Sequence, residues 1–139
     1  MVALTTGNAK AALRDRGDDL YETPAVATEA LLRVEPLPNK IWEPACGPGA
    51  IVGVLRDAGH EVIAGDLVDY GCPMSFKGID FLMETRAPHN VECVVTNPPF
   101  KLANQFVAKA LDLCPKVVML LRLAFLEGTG RSPIMDSGH

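Results

Sequence analysis

Short, dense apolar runs alternate along this chain with longer stretches whose apolar positions recur at helical spacing. The first such stretch follows Tyr21-Glu22-Thr23-Pro24. Thr23 is suited to be an N-cap and Pro24 to the first helical position, and Ala27, Ala30, Leu31 and Val34 share a face until Pro36 and Pro38 intervene. Lys40 to Glu43 reads as a strand. Ala50 to Ala58 reads as a helix with Ile51, Leu55 and Ala58 on one face, stopped by Gly59. Glu61 to Gly65 is a second strand ending at Asp66. A loop through Gly71, Pro73 and Gly78 leads to Ile79-Asp80-Phe81-Leu82, the expected third strand. The run from Val91 to Thr96 is a fourth, β-branched and nearly uncharged. Lys101 to Leu113 is the clearest helix, with Leu102, Phe106, Ala110 and Cys114 in one row and Ala103, Val107 and Leu111 beside it. Val117 to Leu121 is the fifth strand.

Strands alternating with helices, and strands apolar throughout, predict an α/β protein with a doubly wound, mostly parallel sheet covered on both faces. With the order 3-2-1-4-5, the fifth strand is an apolar edge. The C-terminal tail or a second copy of the chain is the expected cover, the latter making a homodimer. The predicted domain spans residues 20–127, between an N-terminal arm (1–19) and an irregular tail (128–139).

Composition narrows the class. The 139 residues suit one core, which the 48% hydrophobic content can fill. The net charge of -4 argues against gripping nucleic acid by bulk electrostatics, while leaving room for a local basic groove at Lys101, Lys109 and Arg122. The longest apolar stretch, Val117 to Leu126, is broken by Arg122 and is too short for a bilayer, and the N-terminus has no signal-like apolar core. The expectation is a cytoplasmic protein without membrane attachment. Cys46, Cys72, Cys93 and Cys114 are too scattered for a zinc set and read as reduced, buried thiols, so no metal is expected.

Candidate chemistry gathers where the strands end. Glu43-Pro44-Ala45-Cys46-Gly47-Pro48-Gly49 is a glycine turn between strand and helix, able to bring backbone N–H groups close to a ligand. It is not a dinucleotide fingerprint, since the third glycine position holds Val52, and no phosphate-loop Gly-Lys-Ser/Thr follows. A lone turn of this kind is most simply structural. Asp66, ending the next strand at about the 20-residue interval, shifts the balance, being suited to accept ribose hydroxyls. Asp80 could accept from an adenine amino group while Phe81 packs on its ring; each is as readily a cap and a core residue.

Asn97-Pro98-Pro99-Phe100 is the most unusual segment. Two prolines bar both helix and ladder pairing, so a stiff extended segment follows the fourth strand. The Asn97 side-chain oxygen and the Pro98 carbonyl can each accept a hydrogen from a nucleobase amine, drawing its lone pair out of the ring. Phe100 can stack on a base swung out of a helix.

Taken together, the glycine turn, Asp66, Asp80-Phe81 and Asn97-Pro98-Pro99-Phe100 resemble, in order, the motifs of class I S-adenosyl-L-methionine-dependent amino-methyltransferases. The likeness is greatest to bacterial and phage DNA N6-adenine methyltransferases. Tyr21-Glu22-Thr23-Pro24 resembles that group's upstream motif. The resemblance implies a Rossmann-like methyltransferase sheet, here of about five strands without the family's last two. It implies a cofactor set of Tyr21, Thr23, Pro24, Glu43, Ala45, Cys46, Gly47, Gly49, Asp66, Leu67, Asp80, Phe81 and Asn97, and a catalytic segment of Asn97, Pro98, Pro99 and Phe100. Nucleic acid, DNA first, is the implied partner. Ribosomal RNA bases or a release-factor glutamine are alternative acceptors, and a non-catalytic cofactor-binding remnant is the rival from another class.

Overall fold

The computed structural model describes residues 22–121; Tyr21, Arg122 and the two terminal segments lie outside the described residues. In chain order the elements are helix α1 (Ala25–Val34), strand β1 (Lys40–Glu43), helix α2 (Ala50–Asp57), strands β2 (Glu61–Gly65) and β3 (Ser75–Phe76), and a 3-10 turn at Phe81–Met83. Strand β4 (Cys93–Thr96), a second 3-10 turn (Phe100–Leu102), helix α3 (Ala103–Leu113) and strand β5 (Lys116–Met119) complete them.

The five strands form one sheet in the order β3-β2-β1-β4-β5, with every neighbouring pair parallel. Alternate residues of a strand face opposite sides, so the apolar residues of the strands feed two cores. Ile41, Val62, Cys93 and Val95 pack with Ile51, Val52 and Leu55 of α2, and Leu31 and Leu32 of α1 close over them. Trp42 and Val94 face the other way, toward Phe81 and toward Phe106 and Ala110 of α3. Trp42 and Phe81 meet edge to face with ring centroids 5.1 Å apart, and Phe81 and Phe106 at 5.0 Å. The sheet is therefore doubly wound, as the alternation predicts.

Several local expectations are corrected. The third strand is Ser75–Phe76, inside the expected loop, whereas Ile79-Asp80-Phe81-Leu82 leads into a 3-10 turn. Asp80 causes this, because its Oδ1 accepts the Leu82 N–H at 3.1 Å and caps the turn. Thr23 does not cap α1: Pro24 holds the N-cap position with φ -59° and ψ 140°, and no side chain caps the helix. Ala58 is the exposed C-cap of α2, and Val52 takes its place on the buried face. Leu111 of α3 is 61% exposed, because the buried face of the helix runs through Ala103, Phe106 and Ala110 instead. Strand β5 is half-buried along its length at the edge of the described sheet; the tail expected to cover it lies outside the described residues. No helix among the described residues is long and apolar enough to cross a membrane.

Candidate active site

The strand order reverses between β1 and β4: the chain builds outward from β1 on one side and from β4 on the other. In open α/β sheets such a switch point leaves a crevice beyond the strand carboxyl ends. Both distinctive sequence segments lie there. The glycine turn leaves β1 at Glu43, and Asn97-Pro98-Pro99-Phe100 leaves β4 at Thr96. Trp42 pairs with Val94, so the two strand ends are nearly level.

The turn from Glu43 to Ala50 requires left-handed backbone, with φ +54° at Gly47 and +104° at Gly49. At Gly49 a Cβ would also stand 3.0 Å from the Cys72 sulfur. Asp66, 4% exposed, holds this turn to the end of β2. Its Oδ2 accepts the Gly47 N–H at 2.8 Å and its Oδ1 accepts the Leu67 N–H at 2.7 Å. A carboxylate has several acceptor sites, so one group can hold two backbone N–H groups at once. Ala45 and Cys46 are buried within the turn. The Cys46 thiol lies against that of Cys72; burial pushes its pKa well up, and Cys72 and the Glu43 and Asp66 carboxylates add to the shift. It is therefore a neutral packing group, and no nucleophile.

Glu43 is 1% exposed at the centre of the site. Its Oε1 accepts both the Ala45 N–H, at 2.9 Å, and the hydroxyl of Thr96. One carboxylate oxygen thus ties the glycine turn to the residue preceding Asn97. Thr96, absent from the sequence-derived set, belongs to this framework. Its signal was a polar residue ending an otherwise apolar strand, as Glu43 ends β1.

The acceptor segment is stiffened differently. Pro99 has φ -55° and ψ 133°, the extended conformation two prolines favour. Bonds close it at both ends: the Leu120 N–H donates to the Thr96 carbonyl at 2.8 Å, and the Leu102 N–H to the Pro99 carbonyl at 3.0 Å. Pro98 and Pro99 are buried, while Asn97 and Phe100 are half-buried.

Other predicted residues fare unequally. The Phe81 ring is 1% exposed between Trp42 and Phe106, in keeping with the core alternative of the two that its sequence position left open. Asp80 caps its turn through Oδ1 and remains half-buried. Thr23 is buried, and its hydroxyl has no hydrogen-bond partner among the described residues; the same holds for Thr28 in α1. A buried hydroxyl left unpaired is costly, and a polar ligand is one way to satisfy it. Pro24, beside Thr23, is exposed, and Tyr21 lies outside the described residues. Of the basic candidates, Lys101 is exposed, whereas Lys109 turns inward and donates to the Glu84 carbonyl at 2.8 Å. Arg122 lies outside the described residues.

No family model matches the chain, and no curated protein does. Solved structures do. A TehB-like SAM-dependent methyltransferase from Corynebacterium glutamicum superposes with a TM-score of 0.51 at 21% identity, covering 91% of this chain and 81% of that one. A Methanococcus maripaludis protein assigned as an S-adenosyl-L-methionine-dependent methyltransferase gives 0.51 at 11% identity, over 99% and 78% of the two chains. With its five parallel strands flanked by helices, this chain has the Rossmann-like fold of those methyltransferases.

Proposed function

We propose that this protein is an S-adenosyl-L-methionine-dependent methyltransferase acting on an exocyclic amino group, with N6 of adenine in DNA as the acceptor, and that residues 20–127 form its catalytic domain. The observation that carries the reading is the Glu43 bridge. A single buried carboxylate couples a glycine turn suited to a nucleoside cofactor with a segment suited to a planar amine. Both segments also lie at the switch point of a sheet shared with solved methyltransferases.

The residues present fit the cofactor. The Asp66 carboxylate stands beside the Gly47–Gly49 backbone where it suits ribose hydroxyls, Asp80 suits an adenine amino group, and the Thr23 hydroxyl, without a partner among the described residues, suits the polar methionine end. When bound, the cofactor supplies an electrophilic methyl group on a sulfonium. The Asn97 side-chain oxygen and the Pro98 carbonyl each accept one hydrogen of the target amine, freeing its lone pair from the ring. Phe100 stacks on the base and fixes its plane. Transfer would form the N–CH3 bond as the sulfonium's S–CH3 bond breaks to leave a neutral thioether, and the nitrogen, now cationic, would shed its surplus proton to water. No strong base is needed, and proximity and alignment supply most of the acceleration.

Homodimerisation through the β5 edge and contact with DNA through Lys101 belong to the same reading. The test is transfer of labelled methyl groups from the cofactor to undermethylated DNA, RNA and protein, followed by digestion to identify the product. N6-methyladenine from DNA is the expected product, lost in Asn97→Ala. Transfer only to RNA or protein would replace the acceptor. Cofactor binding without transfer to any acceptor would leave a non-catalytic domain, and absence of binding would remove the reading.

A further inference from the structure

Arg56 stands in the last turn of α2, at the opposite end of that helix from the glycine turn. Among the described residues its guanidinium makes three hydrogen bonds, each to a backbone carbonyl. Nη1 donates to Pro73 at 2.7 Å, and Nη2 donates to Val62 and to Met74, both at 2.9 Å. Val62 is in β2, whereas Pro73 and Met74 belong to the loop before β3. A planar fork with five fixed donors suits this task, and a lysine ammonium cannot reproduce it.

The clamped loop reaches the cofactor half of the site by two arms. Through the first, Cys72 is buried with its sulfur against Gly49, 3.0 Å from where a Cβ would stand. Its carbonyl accepts the Ser75 hydroxyl at 2.8 Å, which closes the loop on itself. Through the second, the segment after the loop brackets Asp66. The Asp66 N–H donates to the Phe76 carbonyl at 3.0 Å, and the Ile79 N–H donates to the Asp66 carbonyl at 3.1 Å. Gly78 likewise bonds the Leu67 carbonyl at 3.2 Å. The Asp66 carboxylate in turn holds Gly47. Met74 has φ +50°, a conformation a methionine adopts at a cost, so the loop depends on outside bonds to keep its shape.

We infer that Arg56 is a positioning residue for cofactor binding, acting through the 72–79 segment on Gly49 and Asp66 while touching neither cofactor nor acceptor. The inference rests on the cofactor reading above and adds a determinant of affinity remote from the ligand. It makes a reciprocal demand: if Arg56 orders the segment that shapes the pocket, an occupied pocket must order that segment.

Calorimetry with S-adenosylhomocysteine on the full chain separates the two claims. Wild-type binding is the condition for the cofactor reading, and its absence defeats that reading. Given wild-type binding, Arg56→Met, which keeps the apolar stem and deletes the fork, is expected to raise Kd about tenfold, with Arg56→Lys between it and wild type. A role in folding alone would lower the melting temperature and leave Kd of the folded protein unchanged, which overturns the inference. Hydrogen exchange on the wild type needs no variant. Ligand is expected to slow exchange at Cys72, Met74 and Ser75 as well as Gly47, and protection confined to residues 45–49 overturns the inference.

Discussion

From Glu43 to Ala50 the backbone passes through two left-handed glycines and is held by side chains far away in sequence: Asp66 on Gly47, and Cys72 against Gly49. From Thr96 to Ala103 it passes through two prolines, and the bonds closing it come from Leu102 nearby and Leu120 on the adjacent strand connection. The two segments leave neighbouring strands and share the Glu43 carboxylate, yet one is shaped from outside and the other by its own rings. A curved backbone exposing N–H groups must be bent and kept bent. An extended backbone presenting a carbonyl and an amide needs only to be kept from moving, which proline does covalently. Damage to the first segment should therefore cost stability and cofactor affinity together, and damage to the second should cost turnover alone.

The largest expected effect tests the second half of that contrast. Asn97→Ala should lower kcat about 10²–10³-fold, the size found when one preorganised polar group is removed from a reacting centre. Its cofactor Kd should change far less than its kcat; a matching loss of affinity would erase the distinction. Asp66→Ala tests the first half. It leaves the Gly47 and Leu67 N–H groups without their acceptor, for about 3 kcal/mol by denaturant unfolding, together with loss of cofactor binding by calorimetry. Gly49→Ala should cost about 2 kcal/mol, because alanine must hold φ +104° against the Cys72 sulfur. A Gly49→Ala protein as stable as wild type would show the turn to be more pliant than its φ implies.

Thr96→Val probes the junction. It removes the hydroxyl from Glu43 at nearly constant volume, at a cost of about 1.5 kcal/mol, and should move both KM for the cofactor and kcat, unlike either preceding loop variant. A change in only one of them would mean that the bridge does not couple the halves. The smallest effect is on pH dependence. Burial raises the Cys93 pKa to about 11, opposed by the nearby Lys116 charge, from an ordinary value of 9.0. Unfolded chain loses this proton first, so its contribution is complete below pH 9 and is lost as pH rises toward 11. Burial raises the Cys46 and Cys114 thiols as well. The melting temperature should therefore fall over that interval, and Cys93→Ala should make the fall shallower without abolishing it.

Much of this molecule was legible in order along the chain. Lys40–Glu43 and Glu61–Gly65 occupy the expected ranges because β-branched and apolar runs flanked by glycine and proline have few other conformations. The third strand was misplaced because Asp80 prefers its own backbone turn and because Ser75–Phe76 pairs with β2 through only two residues, too short a run to have a period. Phe81 could be read either as a ligand platform beside an acid or as a core residue; its ring fills the space between Trp42 and Phe106, a contact between three separate elements. Lys109, read either as a phosphate contact or as ordinary surface charge, donates to the Glu84 carbonyl.

By itself the sequence determined which local conformations were open: glycine where φ is positive, proline where the chain stays extended, and apolar runs that could only be buried strands. Tertiary structure alone decided which polar groups meet. The Glu43–Thr96 bond spans 53 residues, the Gly47–Asp66 bond 19, and the Arg56 clamp on Pro73 17. The physical reason is that hydrogen bonding depends on distance and direction in space, and residue types along a chain specify neither until the sheet has set the strand ends side by side.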